Sequence, residues 1–434
     1  MRTGSSSAAP IPKIPTGFWF VLQRPDFALA VCAALVLAAC QPRSEPEPDQ
    51  PDEPVFTPQA LEFLPVDWEG LSGWSEADLA AALGAFRRTC DRIVRRSDSD
   101  ALSDRAPWAG RVEDWRPACL AADALGDDPV QIRTFFETHF TPARARSLDP
   151  ETGETALTGR LTGYYEPFVQ VRTQSGGDFT QPLRRRPDDL VTVDLGLFDP
   201  DLSGRRIVGE VEDGRLVLYK DRAEIEAEDA GEIFAWGRPI DVFFLQIQGS
   251  GRLVFPDGHQ ERAAFAAHNG LPYRSIGREL IQRGELEAHA ASKAGIEAWL
   301  NENGPEATAE LFAVNPRYVF FQSQALTDPD LGPNGSSGVA LTPMASIAVD
   351  PAHHAHGVPV WMEVSALPEL GDWSGLVITQ DAGGAITGPL RADFFWGWGE
   401  TAERRAGSTR SDAGWVLLLP HTVVARLFAA QDPV

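Results

Sequence analysis

Between Gly375 and Gly399 the chain reads as a strand, a glycine turn and a second strand, with an acid on either side of the turn. Leu376-Val377-Ile378 is a short apolar run of β type that delivers Asp381 into Gly383-Gly384. Asp393 then stands in front of Phe394-Phe395-Trp396-Gly397-Trp398-Gly399. Similar short runs end in turns at Arg215–Tyr219, Ala345–Asp350 and Trp415–Leu419. Few of these runs alternate with helical patterns, so a doubly wound parallel sheet is excluded in favour of an α+β, mainly β fold with barrels. The aromatics beside Asp393 look exposed, and apolar ring faces of that kind cover the faces of sugars.

The rest of the chain divides by texture. Ser75 and Asp78 resemble a helix cap, followed by Leu79, Leu83, Phe86, Cys90 and Ile93 at helical spacing. A second helix is expected from Asp128-Pro129, carrying Ile132, Phe135 and Phe136. Residues 165–272 read as a mainly β module. Within it, Asp241 to Gln248 reads as a strand, and period two places Gln246, Gln248 and Ser250 on one polar face. Helices return at Ser275–Ile281 and from Ser292 to Gly304-Pro305.

The N-terminus reads as an address. Arg24 precedes an apolar stretch from Phe27 that ends in Leu37-Ala38-Ala39-Cys40, a secretory signal with the shape of a bacterial lipobox. Residues 1–39 are then a signal peptide and Cys40 the lipidated first residue. Residues 40–58, rich in Pro, Glu and Asp, are a flexible tether. The net charge is −24, and losing Arg2, Lys13, Arg24 and Asp26 makes it −26. A charge of that sign argues against nucleic acid as a partner. Two cysteines remain in the mature chain, Cys90 and Cys119. They can pair in an oxidising envelope or stay as buried thiols.

Among groups that carry chemistry, serine and cysteine nucleophile signatures are missing. His353, His354 and His356 form a cluster read as a solvated turn, not a metal site, because no Glu or Cys lies at ligand spacing. Asp350, Asp381 and Asp393 are the stronger candidates, since glycoside cleavage needs a carboxylic acid with a raised pKa. Each of them could equally cap its own turn. Gly163-Tyr164-Tyr165-Glu166-Pro167 marks a cleft edge or hinge.

Taken together, several segments resemble the membrane-bound lytic murein transglycosylase A family. They are Leu161–Pro167, Asp241–Gly251, Tyr273–Gly277, Asn315–Phe321, Pro343–Asp350, Asp381–Gly388 and Arg391–Gly399. The resemblance implies a double-psi β-barrel with helices, from residues 59–164 and 273–434, and an inserted second β-domain at 165–272, with a glycan groove between them. It places Asp350, Asp381 and Asp393 in a three-aspartate module, with Asp393 as catalytic acid. Tyr164, Tyr165, Gln246, Gln248, Gly249, Ser250, Tyr273, Arg274, Trp396 and Trp398 are the expected glycan contacts.

The implied reaction is non-hydrolytic cleavage of the β-1,4 bond between N-acetylmuramic acid and N-acetylglucosamine, with no metal or organic cofactor. The expected partners are peptidoglycan strands, the membrane through the lipid, and cell-wall synthesis or division complexes. The expected location is the outer membrane, facing the periplasm. The residues alone also admit a hydrolase with Asp381 as base, or a non-catalytic wall-binding lipoprotein.

Overall fold

The computed structural model describes residues 61–431 apart from 150–151, 200–201, 203–204 and 229–230, so Cys40 and the tether lie outside the described residues. The chain opens with β1 (Leu61–Pro65), then α1 (Ala80–Ile93), α2 (Val112–Asp123) and α3 (Pro129–His139), and then β2 (Phe140–Leu148), β3 (Thr155–Ala156) and β4 (Thr158–Glu166). A middle part follows, with β5 (Phe168–Arg172), β6 (Gln181–Arg184), β7 (Val191–Asp194), β8 (Arg206–Glu212) and β9 (Arg215–Leu218). It continues through α4 (Arg222–Ala227), β10 (Ile233–Gly237), α5 (Pro239–Gln248), β11 (Gly251–Val254) and β12 (Gln260–His268) to α6 (Ile276–Gln282), α7 (Lys293–Ala313) and β13 (Val319–Ala325). The last part holds β14 (Ser346–Val349), β15 (Pro359–Leu367), β16 (Gly371–Asp381), β17 (Ala392–Trp398), α8 (Gly399–Ser408), β18 (Arg410–Pro420) and α9 (His421–Gln431).

Strands β18, β15, β16, β14, β17 and β4 pair in that order, and β4 pairs back to β18, which closes a six-stranded barrel. Its strands are mixed in direction, parallel at β14–β16 and β17–β4 and antiparallel elsewhere. This is the mainly β, barrel-containing fold expected from the sequence. The middle part adds a six-stranded sheet in the order β13-β12-β11-β5-β10-β6 and a small sheet β7-β8-β9. Because β13 pairs with β12, this sheet reaches Ala325, so the expected boundary at 272 is too early. The polar, helical stretch between the two strands hides the pairing from a local reading.

Helices α1 to α3 cover the barrel. Phe86, Phe136 and Phe140 are fully buried and stack edge-on or tilted with Phe135. Asp128 caps α3 by accepting from the Val130 N–H, as its sequence predicts. The cap of α1 differs from expectation. Ser75 lies in a short 3-10 turn, and the Asp78 carboxylate alone accepts from the Ala80 N–H, at 3.0 Å.

Cys90 of α1 and Cys119 of α2 are joined, with Cα atoms 5.1 Å apart and a sequence separation of 29. Closing a loop of that length stabilises a chain by about 3–4 kcal/mol on the chain-entropy account. Reduction is therefore expected to lower the thermal midpoint by several degrees, which calorimetry with and without dithiothreitol measures.

The stretch read as a strand from Asp241 to Gln248 is the helix α5. Pro239 occupies its first turn, and Gly249, at φ 82°, ends it in the left-handed region. Val242 and Leu245 pack into the core of the second sheet, while Ile240 and Phe243 pack against α6 and α7. A helix buried on two faces shows an apolar run with no polar stripe, and such a run mimics a strand.

Candidate active site

The register of the barrel assembles the site. Asp381 on β16 and Asp393 on β17 both lie opposite Ala348 of β14, the strand between them. On the far side of Asp393, β4 supplies Thr162. One row therefore runs Asp381, Ala348, Asp393, Thr162 across four strands. Two strand spacings put the aspartate Cα atoms about 9–10 Å apart. The alternate residues Ile347, Val349, Ala392 and Phe394 face the main core, so the row faces away from it. Thr162, Tyr164 and Glu166 share that outward face, and Glu166 meets the second sheet there.

Asp381 reaches the row through a β-bulge. Thr379 pairs with Ile347, and Asp381 pairs with the next residue, Ala348, which leaves Gln380 extra. In regular pairing Gln380 would lie opposite Ala348, and Asp381 would turn toward the core. The bulge is pinned from below. The Gln380 amide donates to the Ala85 carbonyl and to Thr89, both at 2.8 Å, and its oxygen accepts from Ser346 at 2.6 Å. All of this is buried, so the amide finds partners for each of its groups.

The two carboxylates differ in their surroundings. Asp381 Oδ1 accepts from the N–H groups of Ser336 (2.8 Å) and Ala382 (2.9 Å), and Oδ2 accepts from the Tyr164 hydroxyl (3.0 Å). Burial raises its pKa, and these three donors pull it back. Burial also pushes the Tyr164 hydroxyl well above its usual range, with help from both acids, so it stays a donor. The Ser336 loop comes this close because Gly335 has no side chain; a Cβ there would stand 2.5 Å from the Gln380 carbonyl oxygen.

Asp393 accepts at Oδ1 from the Thr162 hydroxyl at 2.6 Å, and Thr162 in turn accepts from Arg391 at 2.8 Å. No described residue donates to its Oδ2. Burial pushes its pKa up to about 6, opposed by Thr162 and Arg391 and assisted by the charge of Asp381. A carboxyl with a free oxygen and a pKa near neutrality can hold and release a proton at working pH.

Asp350 stands just past the row. Its carboxylate accepts from Ala352 N–H (2.9 Å) and Gly388 N–H (2.8 Å), and so ties the loop between the other two aspartates to the end of β14. It makes no hydrogen bond with either of them.

Several expected contacts lie elsewhere. Trp396 and the phenylalanines beside it are buried strand residues, not an exposed patch, and the Trp396 ring N–H donates to Thr409 at 2.9 Å. The strand β17 is covered on both faces, which its glycines and aromatics do not reveal. Trp398 is half-buried, with one face against the Arg252 guanidinium at 3.9 Å. Tyr165 is buried and turned away from Tyr164 by the pleat, toward Glu403.

Gln246 and Gln248 are on a helix, so the polar strand face with Ser250 does not exist. Gln246 is buried and accepts from Arg222, and Gln248 accepts from the Tyr165 N–H at 3.3 Å. Ser250 is buried, and Gly249 is the helix cap. Tyr273 and Arg274 are exposed on the segment leading into α6, with no hydrogen bond to the aspartate row. The histidine turn is only partly solvated. His354 is buried, stacks on Trp415 and bonds the Pro389 carbonyl, and burial lowers its pKa to about 4.

Thr162, Ser336, Gln380 and Arg391 belong to the site and were not singled out from sequence. Thr162 had a signal, since it sits two residues before Tyr164 on one strand face. Ser336 had none beyond a glycine-rich loop.

Two family models match the chain, the MltA specific insert domain at residues 160–322 and the 3D domain at residues 345–419. The membrane-bound lytic murein transglycosylase A of Escherichia coli K12 is 32% identical over 257 residues, which are 57% of this chain and 62% of that protein. Among solved structures, MltA from Neisseria gonorrhoeae superposes with TM-score 0.70 at 28% identity, covering 84% of this chain and 94% of that one. E. coli MltA with bound chitohexaose gives 0.57 at 25%, covering 84% and 95%. The lytic transglycosylase LtgG of Burkholderia pseudomallei gives 0.52 at 34%, covering 83% and 96%. With both family models in order along one chain, and a third of the residues shared over nearly all of LtgG, the chain belongs to the membrane-bound lytic murein transglycosylase A family.

Proposed function

We propose that this protein is a lytic transglycosylase that cuts the β-1,4 bond between N-acetylmuramic acid and N-acetylglucosamine in peptidoglycan and leaves 1,6-anhydro-muramyl ends. The observation that carries this reading is Asp393, with its pKa pushed up to about 6 and its Oδ2 unoccupied. The protonated acid donates from Oδ2 to the glycosidic oxygen, and the bond from that oxygen to the muramyl C1 breaks. The muramyl C6 hydroxyl then bonds to C1, and its proton passes to the Asp393 carboxylate. One group thus serves as acid and then as base, and no water enters. The nucleophile is already held by the substrate, so proximity does the work of activation.

Asp381 helps to keep Asp393 protonated and stabilises positive charge at C1. Asp350 acts at one remove, through the loop it fixes. Tyr164 orients Asp381, and Trp398 is the aromatic available to a sugar ring. The hydrolytic alternative needs a second carboxylate as base for a water, with the pair about 6.5–9.5 Å apart. Asp381 already accepts three hydrogen bonds, which disfavours that role.

The family name of the relatives supports membrane association. We assign the anchor to a lipid on Cys40, with the protein at the outer membrane facing the periplasm, and peptidoglycan strands as its substrate. Cell-wall synthesis or division complexes are the partners this placement would offer.

Mass spectrometry of products from purified sacculi tests the activity. Fragments with 1,6-anhydro ends support it; reducing ends would transfer the reading to a hydrolase. The pH profile tests the acid. Asp393 must be protonated to act, so kcat/KM is expected to fall above pH 6, about tenfold per unit. A profile flat to pH 8 would remove Asp393 from that role.

A further inference from the structure

Glu166, at the end of β4, is a fully buried carboxylate held by two arginines of the second sheet. Arg252 Nε donates to its Oε2 at 2.9 Å, and Arg262 donates to both of its oxygens. The arginines also grip a loop. Arg252 donates to the carbonyls of Pro329 and Leu331, and Arg262 to that of Leu331. This loop leaves β13 and soon supplies the Ser336 N–H that reaches Asp381. On its other side Arg252 backs the ring of Trp398, which lies opposite Glu166 in the register of β17 on β4.

Three charges in the interior are a poor investment in stability. Buried Arg–Glu–Arg sets can often be replaced by apolar residues of similar volume with no loss of stability. This one instead touches three of the segments that build the site, β4 with Thr162, β17 with Asp393 and the Ser336 loop, and ties them to the second sheet. We infer that Glu166, Arg252 and Arg262 are positioning residues, a joint that holds the Ser336 loop and the Trp398 ring in place for the aspartate row. The inference rests on the reading of Asp393 as the acid.

The chain of effects can be followed. Without the guanidinium forks, the carbonyls of Pro329 and Leu331 lose their donors and the loop loosens. The Ser336 N–H then leaves Asp381, whose proton affinity rises, since that bond holds it down. Less charge on Asp381 relieves the repulsion that keeps Asp393 protonated. The alkaline limb of activity moves to lower pH.

The test uses the full chain, a triple variant carrying Glu166→Met, Arg252→Met and Arg262→Met, and the single Arg252→Lys. The triple variant is expected to keep its thermal midpoint within about 5 °C. Its kcat should fall tenfold or more, its alkaline limb should shift down, and hydrogen exchange at the Ser336 amide should quicken at least tenfold. Unchanged exchange at Ser336 and an unmoved limb would overturn the inference, whatever happens to the midpoint. If the triple variant does not fold, Arg252→Lys decides by the same readouts, because it keeps the charge and loses the fork and the stacked face. A wild-type protein that releases no products from sacculi would sink the reading of Asp393. Exchange at Ser336 would still decide whether the joint holds the loop.

Discussion

Asp393→Asn is expected to cut the release of anhydro-muropeptides by about a thousandfold or more, since the group proposed to move the proton in both steps is gone. Binding to sacculi should survive, because the amide can still accept from Thr162. The same change should make the protein more stable near neutral pH. The folded pKa of Asp393, about 6, lies above its ordinary 3.8, so the folded state holds that proton more tightly. The contribution is favourable below pH 3.8 and is lost as pH rises to 6, and above that the buried charge costs at most about 3 kcal/mol. Urea unfolding at pH 4 and pH 7.5 checks this. The variant should gain at pH 7.5 and not at pH 4. A variant that is inactive and also destabilised at both would point to lost structure in place of lost chemistry.

Asp381→Asn should have the second largest effect, a loss of about ten- to a hundredfold at pH 7. Its charge is one of the causes that raise Asp393. Without it the apparent pKa of the alkaline limb should drop below 6, so the deficit should shrink as the assay is taken toward pH 5. Rate profiles for both proteins from pH 4.5 to 8 measure this. An equal loss at every pH would mean that Asp381 acts only on the transition state, or only on the fold.

Much of this site was legible from local sequence. Apolar runs ending in Asp350 and Asp381 mark strand ends, Asp393 stands at the head of an aromatic run, and the order of motifs indicates the family and the barrel. What could not be read is long-range. The bulge at Gln380 is fixed by contacts with Ala85 and Thr89, far away in sequence. The helix α5 reads locally as a strand because its two apolar faces serve two different cores. Trp396 reads locally as exposed because burial of a strand on both sides is decided by what packs over it. Thr162 becomes a partner of Asp393 only once β4 lies beside β17.

The closure of the barrel by β4 on β18 also dictates how the chain must be made. Strand β4 emerges early, and both of its neighbours, β17 and β18, are synthesised only after the whole middle part. Until then β4 is an open edge, exposed to pairing with other chains. The middle sheet draws all of its strands from β5 to β13, so it can form while β4 waits. A chain cut short before Arg410 would leave the edges of β4, β15 and β2 all unpaired on the β18 side. Such a fragment is expected to be lost to aggregation or proteolysis, even though every residue of the aspartate row is present in it.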